Sequence, residues 1–471
     1  MSLDVPQDTP MNDKNSLNSH ASALRSVLWR LHFWAALFAT PFVSAAALTG
    51  LLYVFTPQIE QYLYGHLDHV NIQPQQASLD LALTAAISQA PVGWQLQAIS
   101  PASQLGETHQ FAFVPPALSK DQSNGHSSHM GSSHESKNQF LKPIFGFPKN
   151  ALVVYVNPYN LQVTGALEQQ QRFTYWAKKL HSTLLQGSSW RWMIEWGASW
   201  FLLMLLTGIC LAWPKKIGDF LPKFSVHGRP AWKQWHSMIG LTLSLLSFLI
   251  ICTGLTWSQV AGQQVRYLRD ISGQASPQVP AITHVGVNDK NQMISAHDAW
   301  KSIQKTTGGV RMQMLPPSGN NGVWRAAHME RTDPLKRFDL LLDAYSGEVL
   351  YLSTWKEQTW FGKATAVGIP FHRGEYGVWN QVLLFIFGAG VLFSITTGWV
   401  MVLKRLRKGA SIFPVIEKNA WRSIPIWTVI PFAALLWLTP LLVIGLVFIF
   451  FIELIFALVK KRKSFATKGI K

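Results

Sequence analysis

An apolar run that begins near a histidine and closes on Thr-Gly occurs four times in this chain, and that recurrence limits what it can fold into. RLHFWAALFATPFVSAAALTG places His32 seventeen positions before Thr49, and WHSMIGLTLSLLSFLIICTG places His236 seventeen before Thr253. LHSTLLQGSSWRWMIEWGASWFLLMLLTG sets His181 twenty-six before Thr207, and FHRGEYGVWNQVLLFIFGAGVLFSITTG sets His372 twenty-five before Thr397. The order short, long, short, long reads as duplication of one unit. At about 1.5 Å per helical residue the short spacing covers roughly 25 Å, close to the hydrocarbon thickness of a bilayer.

Long apolar runs, 48% hydrophobic and 14% charged residues describe an integral membrane protein with sizeable polar parts. The 41 Lys and Arg against 24 Asp and Glu are then read by position, as orientation in the membrane rather than as a nucleic-acid surface, and no nucleic-acid partner is expected. Cys210 and Cys252 fall inside apolar spans, so no disulfide framework is implied, and no C-x-x-C-H offers covalent haem attachment.

Residues 1–24 read as a polar, disordered tail, and Arg25 and Arg30 place it in the cytoplasm ahead of a first span over 25–56. A polar segment of domain size follows at 57–190; within it 79–90 reads as a helix and 152–167 as strand, turn, strand. Its insert at 120–140 carries His126, His129 and His134 among Ser and Gly, a composition that suits a solvated loop or a metal-sampling one. The second span, 191–213, leads into a loop at 214–235 in which Lys215, Lys216, Lys223, Arg229 and Lys233 face Asp219, which marks it as cytoplasmic. The third span, 236–257, leads to a second outer module at 258–376 that repeats the strand, turn, strand plan over 337–355. A fourth span, 377–403, ends in a basic cytoplasmic segment, 404–423. The apolar stretch 424–459 is too long for one ordinary crossing and reads as a hairpin turning near Thr439-Pro440, with one tilted helix as the alternative, ahead of a basic tail at 460–471. The expected fold is an all-α transmembrane helix bundle of four duplicated core spans plus a C-terminal hairpin, with two separate α+β modules outside.

This topology puts His32 and His236 at the cytoplasmic face and His181 and His372 at the outer face. Two neighbouring helices that each offer one imidazole can ligate a haem iron, so His32 with His236 and His181 with His372 are the candidate axial pairs. A structural zinc site wants four close ligands, whereas each face has two repeat-matched histidines; haem supplies the remaining ligands itself. The Thr-Gly pairs suit close helix packing, or the approach of a flat cofactor, and Trp190, Trp192, Trp196, Trp257 and Trp379 suit interfacial belts.

The blocks RLHFW with LTGLLYVF, LHSTLLQG with LLTGICLAWPKK, WHSMIG with CTGLTW, FHRGEYG with TTGWVMVLKR, and LLDAYSGEVL resemble the PepSY-associated transmembrane proteins, over about residues 25–407. That family includes ferric-siderophore reductases of the bacterial inner membrane. The resemblance implies PepSY-like modules in the periplasm and two b-type haems, and the matching positions are His32, His181, His236 and His372. The His-rich insert and the tail after Lys408 depart from the shared pattern. No glycine-rich nucleotide fingerprint follows a strand, so electrons for a ferric chelate would come from a cytoplasmic reductase or the quinol pool. Two other classes stand beside this oxidoreductase reading: a periplasmic binding or regulatory membrane protein without redox activity, and a metal transporter. The transporter needs acidic residues along a path, and the spans offer Glu195 and Glu453.

Overall fold

The computed structural model describes residues 11–116, 140–144, 146–214, 216–282, 292–318, 322–417 and 420–468. His126, His129 and His134 lie outside the described residues. The chain forms two compact units, one of residues 1–52, 179–268 and 382–471 and one of residues 53–178 and 269–381.

The first unit is the membrane unit. Among the described residues four helices are long and apolar enough to cross a bilayer, Ser22–Val54, Ser188–Ala212, Val378–Leu406 and Pro440–Val459, and a bent pair counts as a fifth if its two helices form one span. The elements used below are α1 (Met11–Val54), α5 (Trp192–Ala212), α6 (Arg229–Thr242), α7 (Ser244–Leu255), α11 (Val378–Leu406), α12 (Val429–Leu438) and α13 (Pro440–Lys468), numbered in chain order with α2 to α4 and α8 to α10 introduced later. The bent pair is α6 with α7, which meet at 55°. Leu243 at the break packs so closely on Gly390 of α11 that a Cβ there would lie 2.3 Å from its Cδ1. Glycine at 390 is therefore what admits the bend.

A core of Trp34, Ala35, Ala39 and Val43 from α1, Trp200 and Leu203 from α5, Val391 from α11, and Leu442 and Ile449 from α13 holds the bundle together. A Cβ at Gly445 would meet the Trp200 indole at 2.2 Å, so α13 lies directly on α5. Glu453 of α13 accepts from Arg30 Nε at 2.8 Å and from Trp34 Nε1 at 2.8 Å, and Arg30 also donates to the Pro414 carbonyl. Ile424 packs beside Ala23, Val27 and Leu31, Trp437 meets the Tyr267 ring at 6.2 Å, and Glu453 is back at Arg30. The C-terminal stretch thus leaves one end of the bundle and returns to it. Both cysteines are free.

The second unit corrects the expectation of an all-α fold with two separate modules. It is a single eight-stranded antiparallel sheet with the order β10-β9-β8-β7-β1-β2-β4-β5, so the protein is a mixed one in which a large sheet accompanies the membrane helices. The strands of the first copy are β1 (Gln95–Ser100), β2 (His109–Val114), β4 (Leu152–Val156) and β5 (Val163–Glu168). Those of the second are β7 (Met312–Leu315), β8 (Val323–His328), β9 (Phe338–Asp343) and β10 (Val349–Thr354). Two short strands, β3 (Phe140–Leu141) and β6 (Val279–Pro280), pair apart from it. The copies join where β1 meets β7 at Ile99 and Met314. Each half alone would expose a strand edge, and pairing the two inner edges removes that liability.

One sheet face is covered by α3 (Leu79–Ile87) and α9 (Ala296–Thr307), which share a core with Ile99, Phe111, Val154, Met314, Trp324, Leu340 and Leu342. The two helices cross-link through the Leu79 amide, which donates to His297 Nδ1, and the His297 amide, which donates to Asp80. The opposite face of the first half packs on Leu67 of α2 (Thr56–Asp68). Arg172 clamps that side, with Glu60 at 2.8 Å, Asp68 at 2.6 Å and the Tyr155 hydroxyl at 2.9 Å.

Candidate functional site

His32 and His236 come together inside the membrane unit, with ring centroids 6.3 Å apart and planes at 85°. His32 Nδ1 lies 3.0 Å from the Met204 carbonyl and 3.2 Å from Thr207 Oγ1. His236 Nδ1 lies 3.0 Å from the Ser394 carbonyl and 3.0 Å from Thr397 Oγ1. A carbonyl can only accept, so in both rings Nδ1 carries the proton, and Nε2 is left with a free lone pair. Two imidazoles held in this tautomer are prepared to ligate a metal through Nε2.

The Thr-Gly pairs are the seats for these rings. A Cβ on Gly208 would stand 3.1 Å from His32 Cε1, and one on Gly398 would stand 3.6 Å from His236 Cε1. His181 rests on a third pair: its Nδ1 is 3.0 Å from Thr49 Oγ1, and a Cβ on Gly50 would lie 3.4 Å from its Cε1. Because Thr49 Oγ1 spends its own proton on the Ala45 carbonyl at 2.7 Å, it accepts from His181 Nδ1–H, which gives the same tautomer. Thr207 and Thr397 likewise donate to the Leu203 and Ser394 carbonyls. Each of the four histidine-led apolar runs closes on a Thr-Gly pair, and that recurrence was the available signal for their role. Spacing alone pairs each Thr-Gly with the histidine of its own run, whereas in space His32, His181 and His236 sit on a neighbouring one.

His181 is in the last turn of α4 (Phe173–Thr183). The chain then leaves through Leu184 and Leu185, both with positive φ, at 49° and 64°. Left-handed backbone at two leucines is costly and marks a turn held by its surroundings. His372 lies in the last turn of α10 (Trp360–Arg373), in the other unit, beside Arg373, which bonds Tyr53 at 3.0 Å and Glu375 at 2.9 Å.

Residues 29–405 match the model of the PepSY-associated TM region. The chain belongs to that family. The match contains the four histidines that lead apolar runs and the four Thr-Gly pairs that close them, and it ends before α12 and α13, which the bundle nonetheless incorporates through Gly445 and Glu453. No curated protein matches the chain significantly.

A haem held by His32 and His236 would have to meet this geometry. Two imidazoles that held one metal ion at about 2.0–2.1 Å each would have ring centres roughly 6 Å apart, and those of His32 and His236 are 6.3 Å apart. One turn beyond His236, a Cβ on Gly240 would meet nothing within 4 Å among the described residues. Among the described residues no group of three or more His, Cys, Asp or Glu is placed to hold a metal ion. The two acidic residues of the spans are already engaged. Glu195 accepts from the Gln259, Val260 and Ala261 amides and so caps α8 (Ala261–Ile271), and Glu453 holds Arg30 and Trp34.

Proposed function

We propose that this chain is a haem-dependent transmembrane electron-transfer protein that reduces a ferric chelate on the periplasmic side of the bacterial inner membrane. The observation that carries the reading is the His32–His236 couple, with both Nδ1 atoms tied to carbonyls and the rings at a separation suited to axial ligation. Haem iron with two imidazole ligands supplies one-electron carriage. The chain's own residues do the rest: Thr207 and Thr397 orient the rings, the Met204 and Ser394 carbonyls fix their tautomer and raise the basicity of Nε2, and the glycines let the helices close around them.

For a second haem the sequence repeat supplies the reading, and on the His181 side the seat at Thr49-Gly50 supports it. The basic segments after the second and fourth spans orient the His32 end toward the cytoplasm, where a reductase, or the quinol pool, would donate. Iron(II) leaves hard-oxygen chelators more readily than iron(III), so one-electron reduction would release the metal. The engagement of Glu195 and Glu453 weighs against a transporter, whose path would need acidic residues free to meet a cation.

The test uses full-length protein in detergent, reduced with dithionite, freed of excess reductant and mixed anaerobically with ferric nitrilotriacetate. The proposal expects reoxidation of the haem absorbance together with iron(II) captured by a chromogenic chelator. Reduced protein that stays reduced in the presence of the chelate would end the reductase reading.

A further inference from the structure

The two halves of the sheet have the same strand register but differ along one row on the face away from α3 and α9. In the first half that row is Ala98, Ala112, Val153 and Leu167, directly opposite one another across β1, β2, β4 and β5. In the second half the matched row is Gln313, Ala327, Asp339 and Ser353. Arg325 stands diagonal to Gln313 and Asp339, at the position where the first half has Gln110. The fold accepts an apolar row, so the polar one is not required by the sheet.

These polar groups are also buried without being satisfied. The Arg325 side chain is 9% exposed, its Nε and Nη2 have no hydrogen-bond partner among the described residues, and Asp339 Oδ1 is 3.9 Å from Nη2. Gln313 Oε1 and Ser353 Oγ are buried and unpartnered as well. Arg172 in the first half shows how the same protein satisfies a guanidinium, with two carboxylates and a phenol in hydrogen-bond contact. Buried polar groups left open in this way are costly unless something meets them.

We infer that Arg325, Gln313, Asp339 and Ser353 form a binding site for a small carboxylate carrying an N–H or O–H on the adjacent carbon. Nε and Nη2 are the edge of guanidinium that takes both oxygens of a carboxylate side by side. Gln313 Oε1 and the Asp339 carboxylate are acceptors, so the ligand must also bring a donor. Arg325 and Arg337 are the cations that act on Asp339. The site involves neither His32 nor His236 and stands or falls independently of the haem reading.

The experiment titrates full-length protein in detergent with lactate, with N-acetylglycine and with sulfate by calorimetry. Saturable binding of lactate or N-acetylglycine, with no saturable sulfate binding, is expected; which of the two binds tells an α-hydroxy from an α-amido carboxylate. Arg325→Gln, which installs the residue of the first half, should weaken that binding about tenfold or more, and Ser353→Leu serves if the first variant does not fold. No saturation by either carboxylate overturns the inference. So does equal affinity in the folded variant, and either result would assign the row to ordered water alone.

Discussion

The duplicated halves of this protein agree in the membrane and disagree in the sheet. Around His32 and His236 the same parts recur: a carbonyl and a Thr hydroxyl on Nδ1, and a glycine against Cε1. In the sheet the register repeats, yet Ala98, Val153 and Leu167 are answered by Gln313, Asp339 and Ser353. A ring that must present one nitrogen at one distance tolerates little change in its surroundings. A sheet row can be apolar or polar, provided a polar one is satisfied. Likeness between the copies therefore marks a geometric requirement, and unlikeness marks a position released for another task.

The likeness is broken most severely by removing a ring. His32→Ala and His236→Ala should each abolish low-spin haem at this couple, measured as haem per protein, and the two losses should be equal. The unlikeness is tested next. Asp339→Val alone leaves Arg325 buried without its carboxylate and should cost about 3–5 kcal/mol in denaturant unfolding of the purified protein. Converting the whole row, with Gln313→Ala, Arg325→Gln, Asp339→Val and Ser353→Leu together, should instead stabilise by about 1–4 kcal/mol, because an apolar row replaces an imperfectly paired ionic one.

A second contrast between the halves is open to acid. His109 of β2, where β8 has Trp324, is buried, accepts the Ala102 amide at Nδ1, and has its pKa lowered to about 4, by burial first and by His297 second. The unfolded chain takes up that proton near pH 6.5 and the folded one near pH 4, so stability from the neutral ring is complete above about pH 6.5 and falls as the pH drops toward 4. The loss is about 3 kcal/mol for this group, and His109→Phe should flatten that part of the stability profile. The smallest effect concerns the one difference between the seats. Gly398→Ala should be neutral or stabilising by up to about 1 kcal/mol from helix propensity, whereas Gly208→Ala brings a methyl to 3.1 Å from His32 and should perturb the ring and any haem spectrum.

Much of this was legible in the chain. The apolar runs gave the spans, and alternating β-branched and aromatic residues gave the hairpins β4–β5 and β9–β10. The joining of the modules was not legible, because the period-two pattern of QLQAIS and MQML reports which face each strand buries and not which distant strand it meets. The 55° bend at Leu243 depends on Gly390, more than a hundred residues away in sequence. The seats were half visible: Thr-Gly recurred, but its partner is a histidine of another helix. The polar row was hidden for a similar reason, since Gln313, Asp339 and Ser353 look like ordinary strand positions until register lines them up beside Arg325.

The most direct test of the central claim is the visible spectrum of the full-length protein purified from haem-replete cells, recorded oxidised and then dithionite-reduced, beside His32→Ala and His236→Ala. Paired-imidazole, low-spin b-type bands that diminish in both variants are the predicted result. Protein without haem absorbance, or bands that both variants leave unchanged, would contradict it.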